Sequence, residues 1–115
     1  QFRVIPSMRF SYFSELMKNS SAIVGNSSAG VREAPFLGIP SLDIGSRQQA
    51  RSTAVSVTNC QPTDHEKILS FLNNSWGTSY PRDESFGTGK TSEKFLKILN
   101  SQAFWTNDIQ KIFNE

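Results

Sequence analysis

The order of residues predicts an α/β chain in which a small parallel sheet is flanked by helices on both faces. Two observations predict it. Short apolar runs, Ala22-Ile23-Val24 and Pro40-Ser41-Leu42-Asp43-Ile44, alternate with stretches whose apolar residues recur at helical spacing. Each run is closed by a glycine, Gly25 or Gly45, as strands that feed into a turn are. The 115 residues suffice for one compact domain.

The elements follow in chain order. Phe2-Arg3-Val4-Ile5 reads as a short strand stopped by Pro6-Ser7. Phe10, Phe13, Leu16 and Met17 fall on one helical face, predicting a helix over residues 10–19. After the strand at Ala22–Val24, a helix runs from Ser28 toward Leu37 and is ended by Gly38. Pro40–Ile44 is the next strand and Ala54–Thr58 another, giving about four in all. Asp64 or Thr63 caps a helix whose buried stripe is Ile68, Leu69, Phe71 and Leu72, ending near Trp76-Gly77. Residues 77–90 lack a period and read as a loop. A helix capped by Thr91 or Ser92 carries Phe95, Leu96, Ile98 and Leu99. Trp105, Ile109, Ile112 and Phe113 lie at i, i+4, i+7 and i+8, which predicts an amphipathic helix within residues 101–115.

Composition narrows the function. Net charge is +2, and the basic residues are dispersed without a block of five, so a nucleic-acid partner is not expected. No apolar run approaches 18 residues, so no membrane span is expected. A single cysteine, Cys60, fits a reducing cytoplasm and reads as a small buried apolar residue. No His, Cys and carboxylate cluster has metal-ligand spacing, so neither metal nor other cofactor is expected. The first residues contain no leader and no initiator methionine, and the start reads as cut from something longer.

Local rules conflict in residues 22–51. The helix from Ser28 opens on Ala29-Gly30 and contains Pro35, a residue that costs roughly 3 kcal/mol inside a helix. Such exceptions often mark a site. The turn Gly25-Asn26-Ser27-Ser28-Ala29-Gly30 offers backbone amides, a helix dipole and two hydroxyls to a phosphate, while Gly25 and Gly30 let an anion approach the backbone. Glu33, about one and a half turns into the helix, could accept two hydrogen bonds from a ribose diol, or could be a solvated acid paired with Arg32 or Arg51. Arg47 follows the next strand, where a forked guanidinium can reach phosphate, or it is a plain surface arginine. Phe13 is equally a core residue packed with Phe10 and Met17.

The string Gly25-Asn26-Ser27-Ser28-x-Gly30-Val31-Arg32-Glu33, with Phe36-x-Gly38-x-Pro40 and Ile44-Gly45-x-Arg47-Gln48, resembles the hydrolysing UDP-N-acetylglucosamine 2-epimerases. The resemblance runs from about Val4 through Leu99 and includes Tyr80-Pro81 and Gly87-x-Gly89. It implies a partial Rossmann-like sheet, the latter part of the C-terminal domain of a GT-B fold, over residues 1–100, with the tail helix over 101–115. It implies that Ser27, Ser28 and Gly30 hold the diphosphate of a UDP-sugar, Glu33 the ribose, Arg47 the nucleotide side and Phe13 the uracil ring. The family's acid/base carboxylates and active-site histidine lie outside this chain, so no catalytic residue carries over and the chain alone is expected to be inactive. The implied reaction of a full-length enzyme is elimination of UDP to a glycal, then addition of water with inversion at C2. That reaction serves sialic-acid and related nonulosonic-acid synthesis. A homo-oligomer is expected, because a partial sheet exposes apolar surface.

Other motifs carry less. Gly87-Thr88-Gly89-Lys90-Thr91 has Glu84 where a phosphate-binding loop needs glycine. His65, in Asp64-His65-Glu66, reads as an exposed helix residue. Glycosylation triplets at Asn19, Asn26 and Asn73 have no meaning without secretion. Two alternatives stay open: the donor-binding half of a GT-B glycosyltransferase, and a non-catalytic α/β interaction module.

Overall fold

A computed structural model describes residues 2–106. Among them the elements run α1 (Phe10–Lys18), β1 (Ile23–Gly25), α2 (Ser28–Phe36), β2 (Ser41–Ile44), β3 (Val57–Cys60), α3 (His65–Asn74), α4 (Thr91–Leu99) and α5 (Gln102–Trp105). The three strands form one sheet in the order β1-β2-β3, every pair parallel, with Val24 beside Leu42 and Asp43 between Gly25 and Asn59. The chain is thus α/β with helices on the sheet, as a partial Rossmann-like fold requires.

Alternation along β2 decides which helix covers which face. Leu42 and Ile44 point to the side where Cys60, Phe71, Ile68 and Ala22 pack, so the apolar core lies between the sheet and α3. Ser41 points the other way, toward Gly30 of α2. The close seat of α2 depends on that glycine, whose missing side chain would meet Ser41 Oγ at 2.7 Å.

Capping sets the helix boundaries. The Ser27 side chain accepts from Ala29 N at 3.3 Å, and Asp64 accepts from Lys67 N at 3.2 Å. At the far end of α2, Gly38 takes φ +70°, where a Cβ would run into the Tyr80 carbonyl oxygen. Pro35 therefore sits in the last turn of α2, and its carbonyl accepts from Gly38 N at 3.1 Å and from Asp83 N at 3.0 Å.

Five expectations need correction. Leu69 and Leu72, expected in the buried stripe of α3, are exposed, and Phe71 is the residue of that helix that is buried. Phe2–Ile5 forms no strand; Phe2 and Val4 are almost fully exposed, and the described residues provide no sheet edge that pairs with them. The sheet accordingly has three strands rather than four. The strand expected at Ala54–Thr58 lies at Val57–Cys60 instead, because Val57 N donates to Ala54 O in a turn and only residues 57–60 find partners along the four residues of β2. Helix α4 is entered from Lys90 with no side-chain cap, so Thr91 and Ser92 lie inside it. Of the expected tail helix only α5 falls among the described residues; Ile109, Ile112 and Phe113 lie outside them. No residue of α4 or α5 is buried.

Candidate nucleotide site

The turn between β1 and α2 is built as the sequence implies, at the carboxyl edge of a parallel strand. Gly25 takes φ +147°, a conformation only glycine adopts readily. Its own capping already engages part of the expected cradle. Ala29 N–H donates to Ser27 Oγ and Gly30 N–H donates to Ser27 O at 3.1 Å, leaving Ser28 N–H without a protein partner among the described residues. As an acceptor in the cap, Ser27 keeps its hydroxyl proton to donate outward. Both serines are exposed, and so is Arg47 in the loop after β2.

Sequence reasoning named Gln48 only as part of a motif, yet its side chain braces the turn. It is 2 % exposed, donates from Nε2 to Asn26 O at 3.1 Å, and accepts from Arg51 Nη1 at 3.1 Å. A buried glutamine aimed at a turn carbonyl fixes the loop that carries the hydroxyls. A glutamine in a polar run such as Arg47-Gln48-Gln49 gives no hint of burial, which is why spacing alone missed its role.

Glu33 belongs to a different wall. Together with Phe10, Ser14 and Met17 of α1, Arg32, Phe36 and Leu37 of α2, and Phe86, Gly87, Gly89 and Thr91, it lines a mainly apolar cavity of about 630 Å³. Its Oε2 is buried and has no hydrogen-bond partner. An unsatisfied buried acceptor costs roughly 1–3 kcal/mol, a cost that a hydroxyl-bearing ligand in the cavity would remove. Arg32 lies over the Phe86 ring at 5.2 Å and Arg82 over the Phe36 ring at 3.6 Å, so cation–π contacts hold the 80–89 segment against α2 and close that side of the cavity.

The structure thus brings the named residues into two neighbouring clusters on one helix. Ser27, Ser28 and Gly30 stand at the start of α2, and Glu33 faces the cavity beside it. Phe13 is half-buried and is not part of the cavity wall; Phe10, one turn earlier, is. Arg47 is not part of that wall either. His65 is exposed, as expected of a first-turn helix residue. Among the described residues no cluster of His, Cys, Asp and Glu could hold a metal ion, and no helix is long and apolar enough to cross a membrane.

Comparison with known proteins places this turn and helix in context. A family profile described as UDP-N-acetylglucosamine 2-epimerase matches residues 1–100. The chain belongs to the UDP-N-acetylglucosamine 2-epimerase family. It is 37 % identical over 119 residues to a UDP-N-acetylglucosamine 2-epimerase of Neisseria meningitidis serogroup B, covering 98 % of this chain and 31 % of that protein. It is 29 % identical over 100 residues to a hydrolysing UDP-N,N'-diacetylbacillosamine 2-epimerase of Legionella pneumophila, covering 86 % of this chain and 26 % of that one. A polysialic acid biosynthesis protein P7 of Escherichia coli is 33 % identical over 103 residues, covering 90 % of this chain and 22 % of its own length. The chain therefore spans about a third or less of these relatives.

Proposed function

We propose that this chain supplies the UDP-binding portion of a hydrolysing UDP-N-acetylglucosamine 2-epimerase, an enzyme that releases UDP and a free 2-epimerised amino sugar. The observation that carries the reading is the buried, unpartnered Glu33 Oε2 at the wall of a 630 Å³ cavity, on the same helix whose first turn presents Ser27 and Ser28. A ribose diol donating to Glu33 satisfies that oxygen. The diphosphate then lies along α2 toward Ser28 N–H, the two hydroxyls and the positive end of the helix dipole, with the Arg47 guanidinium completing the charge balance. The uracil ring stacks on an aromatic of α1, Phe13 by the family resemblance. Such stacking is worth about 1–3 kcal/mol per base in nucleic-acid complexes.

The groups that eliminate UDP and add water are assigned to the part of the enzyme outside this chain, so the chain alone binds without turnover. The proposed role is cytoplasmic, in making nonulosonic-acid precursors, with the enzyme working as a homo-oligomer; a relative named for polysialic acid biosynthesis is in keeping with the precursor role alone. Calorimetric titration tests the reading. UDP is expected to bind weakly, uridine more weakly still, and Glu33→Ala to lose about tenfold in affinity, equal to 1.4 kcal/mol. Equal binding by wild type and Glu33→Ala would refute the ribose assignment. Absence of UDP binding would refute the reading as a whole.

A further inference from the structure

Asp43 is a buried carboxylate that the nucleotide reading leaves idle. It is 2 % exposed, stands on the central strand, and neither carboxylate oxygen has a hydrogen-bond partner. Its place under the turn follows from two contacts. Asp43 pairs with Gly25 in the sheet, and by alternation it shares the face of Ser41, which lies beneath Gly30. Two residues of strand advance about 6.6 Å toward the carboxyl edge, the direction in which α2 runs back from Gly30 to its start at Ser28 and the turn before it. Asp43 therefore lies on the face of the sheet beneath the turn that Gln48 braces.

We propose that Asp43 is a positioning residue of the diphosphate site, held uncharged behind the Gly25–Ser28 turn, so that binding of the diphosphate is coupled to proton uptake there. The inference rests on the nucleotide reading and adds its regulation by pH. Two anions on either side of one turn repel each other, and the protein removes the repulsion by protonating the buried one. Burial already pushes the Asp43 carboxyl above its ordinary value of 3.8.

The surrounding elements supply little charge to oppose this. Strand β1 carries no titratable side chain. From β3, Cys60 has its thiol pushed up by burial first, then by Asp64, with Lys67 acting against them and Asp43 adding to the rise. Asp64 and Lys67 themselves lie at the start of α3, on the opposite side of the sheet from α2. On α2, Arg32 and Glu33 face the cavity, and in the loop after β2 the Arg51 guanidinium is occupied by Gln48 while Arg47 is exposed.

Isothermal titration of UDP into the chain and into Asp43→Asn, over a pH series in two buffers of different ionisation enthalpy, tests the coupling. Wild-type affinity is expected to fall more steeply with rising pH than that of Asp43→Asn. The extra slope is at most tenfold per pH unit, the signature of one proton. Heats are expected to differ between buffers by more in wild type. Asp43→Asn keeps its UDP affinity at the acid end, because asparagine has the size and neutrality of the uncharged acid, whereas a merely structural role would leave the two pH profiles parallel. Uridine, which lacks the diphosphate, is expected to bind with no such difference. A second readout is independent of the variant: on adding UDP, the carboxyl carbon resonance of Asp43 moves toward its protonated position. Parallel profiles or an unmoved resonance while UDP still binds would overturn the coupling and leave the nucleotide reading standing. Failure of UDP to bind at any pH would overturn both.

Discussion

Replacing Gly30 with alanine puts a methyl group where Ser41 already stands. The added Cβ would lie 2.7 Å from Ser41 Oγ, 3.6 Å from Ile23 Cγ2 and 3.9 Å from Ser41 Cβ. The last two distances are ordinary contacts, so the whole strain comes from one oxygen atom. Ser41 is 1 % exposed on the central strand, so the oxygen must rotate within a packed layer or α2 must lift from the sheet. Overpacking of this kind costs about 1–3 kcal/mol. Alanine in place of glycine inside a helix returns about 1 kcal/mol. A net loss of roughly 1 kcal/mol follows for Gly30→Ala.

The double variant Gly30→Ala with Ser41→Ala removes the offending oxygen and keeps the helix gain. It should be at least as stable as Ser41→Ala alone, which amounts to a favourable coupling of about 1–3 kcal/mol between the two sites. Urea unfolding followed by far-ultraviolet circular dichroism reads all four proteins, with the midpoint shifting at constant slope. The lift of α2 should also weaken UDP binding in the single variant and spare it in the double. Additivity within about 0.5 kcal/mol would refute the close-packing argument, as would a single variant more stable than wild type.

Further outcomes follow from the same contacts. Glu33→Met removes the buried unpartnered oxygen, so the melting temperature should rise, by about 1 kcal/mol of stability, while UDP affinity drops. Gln48→Ala should cost about 1–3 kcal/mol in urea unfolding, because Asn26 O loses its buried donor, and should weaken UDP binding through the loosened turn. Arg82→Ala should cost about 0.5–1 kcal/mol through its contact with Phe36. That loss should barely change with salt, because the half-exposed Arg82–Glu84 pair at 3.3 Å contributes little. For Asp43, the folded value lies above 3.8, so the fold prefers the protonated form. Its contribution is fully present below 3.8 and is lost as pH rises through the raised folded value. Stability curves of wild type and Asp43→Asn should therefore diverge with rising pH, the variant becoming the more stable.

Much of this architecture was legible because β2 and α2 advertise themselves. Apolar runs closed by glycine located β1 and β2, and helical periodicity located α1, α3 and α4 within a residue or two. The start of α2 at Ser28 was readable because Gly25-Asn26 ends the strand before it, and Gly38 because a helix end needs positive φ, whereas the cap made by the Ser27 side chain was not foreseen. Phe2–Ile5 misled because strand propensity describes a side chain's fitness for a sheet and says nothing about whether a neighbouring strand exists. The position of β3 was displaced because its bounds are set by pairing with Ser41–Ile44, a tertiary constraint absent from residues 54–60 themselves. In the site, residue types pointed to Ser27, Ser28 and Glu33. They could not point to Gln48 or to Asp43, whose roles come from burial on neighbouring elements.

The anchoring of the 80–83 segment on the end of α2 has a kinetic side. Tyr80 N donates to Gly38 O and Asp83 N to Pro35 O, each at 3.0 Å, although both donors sit in a stretch without helix or strand. Those two amide protons can be swapped for deuterons only when the stretch peels away from the helix. They should exchange slowly, in step with α2, while the Phe86 and Thr88 amides between that anchor and α4 exchange orders of magnitude faster. A chain otherwise short of sheet thereby carries a second clamp, made of backbone alone, that side-chain substitution leaves in place.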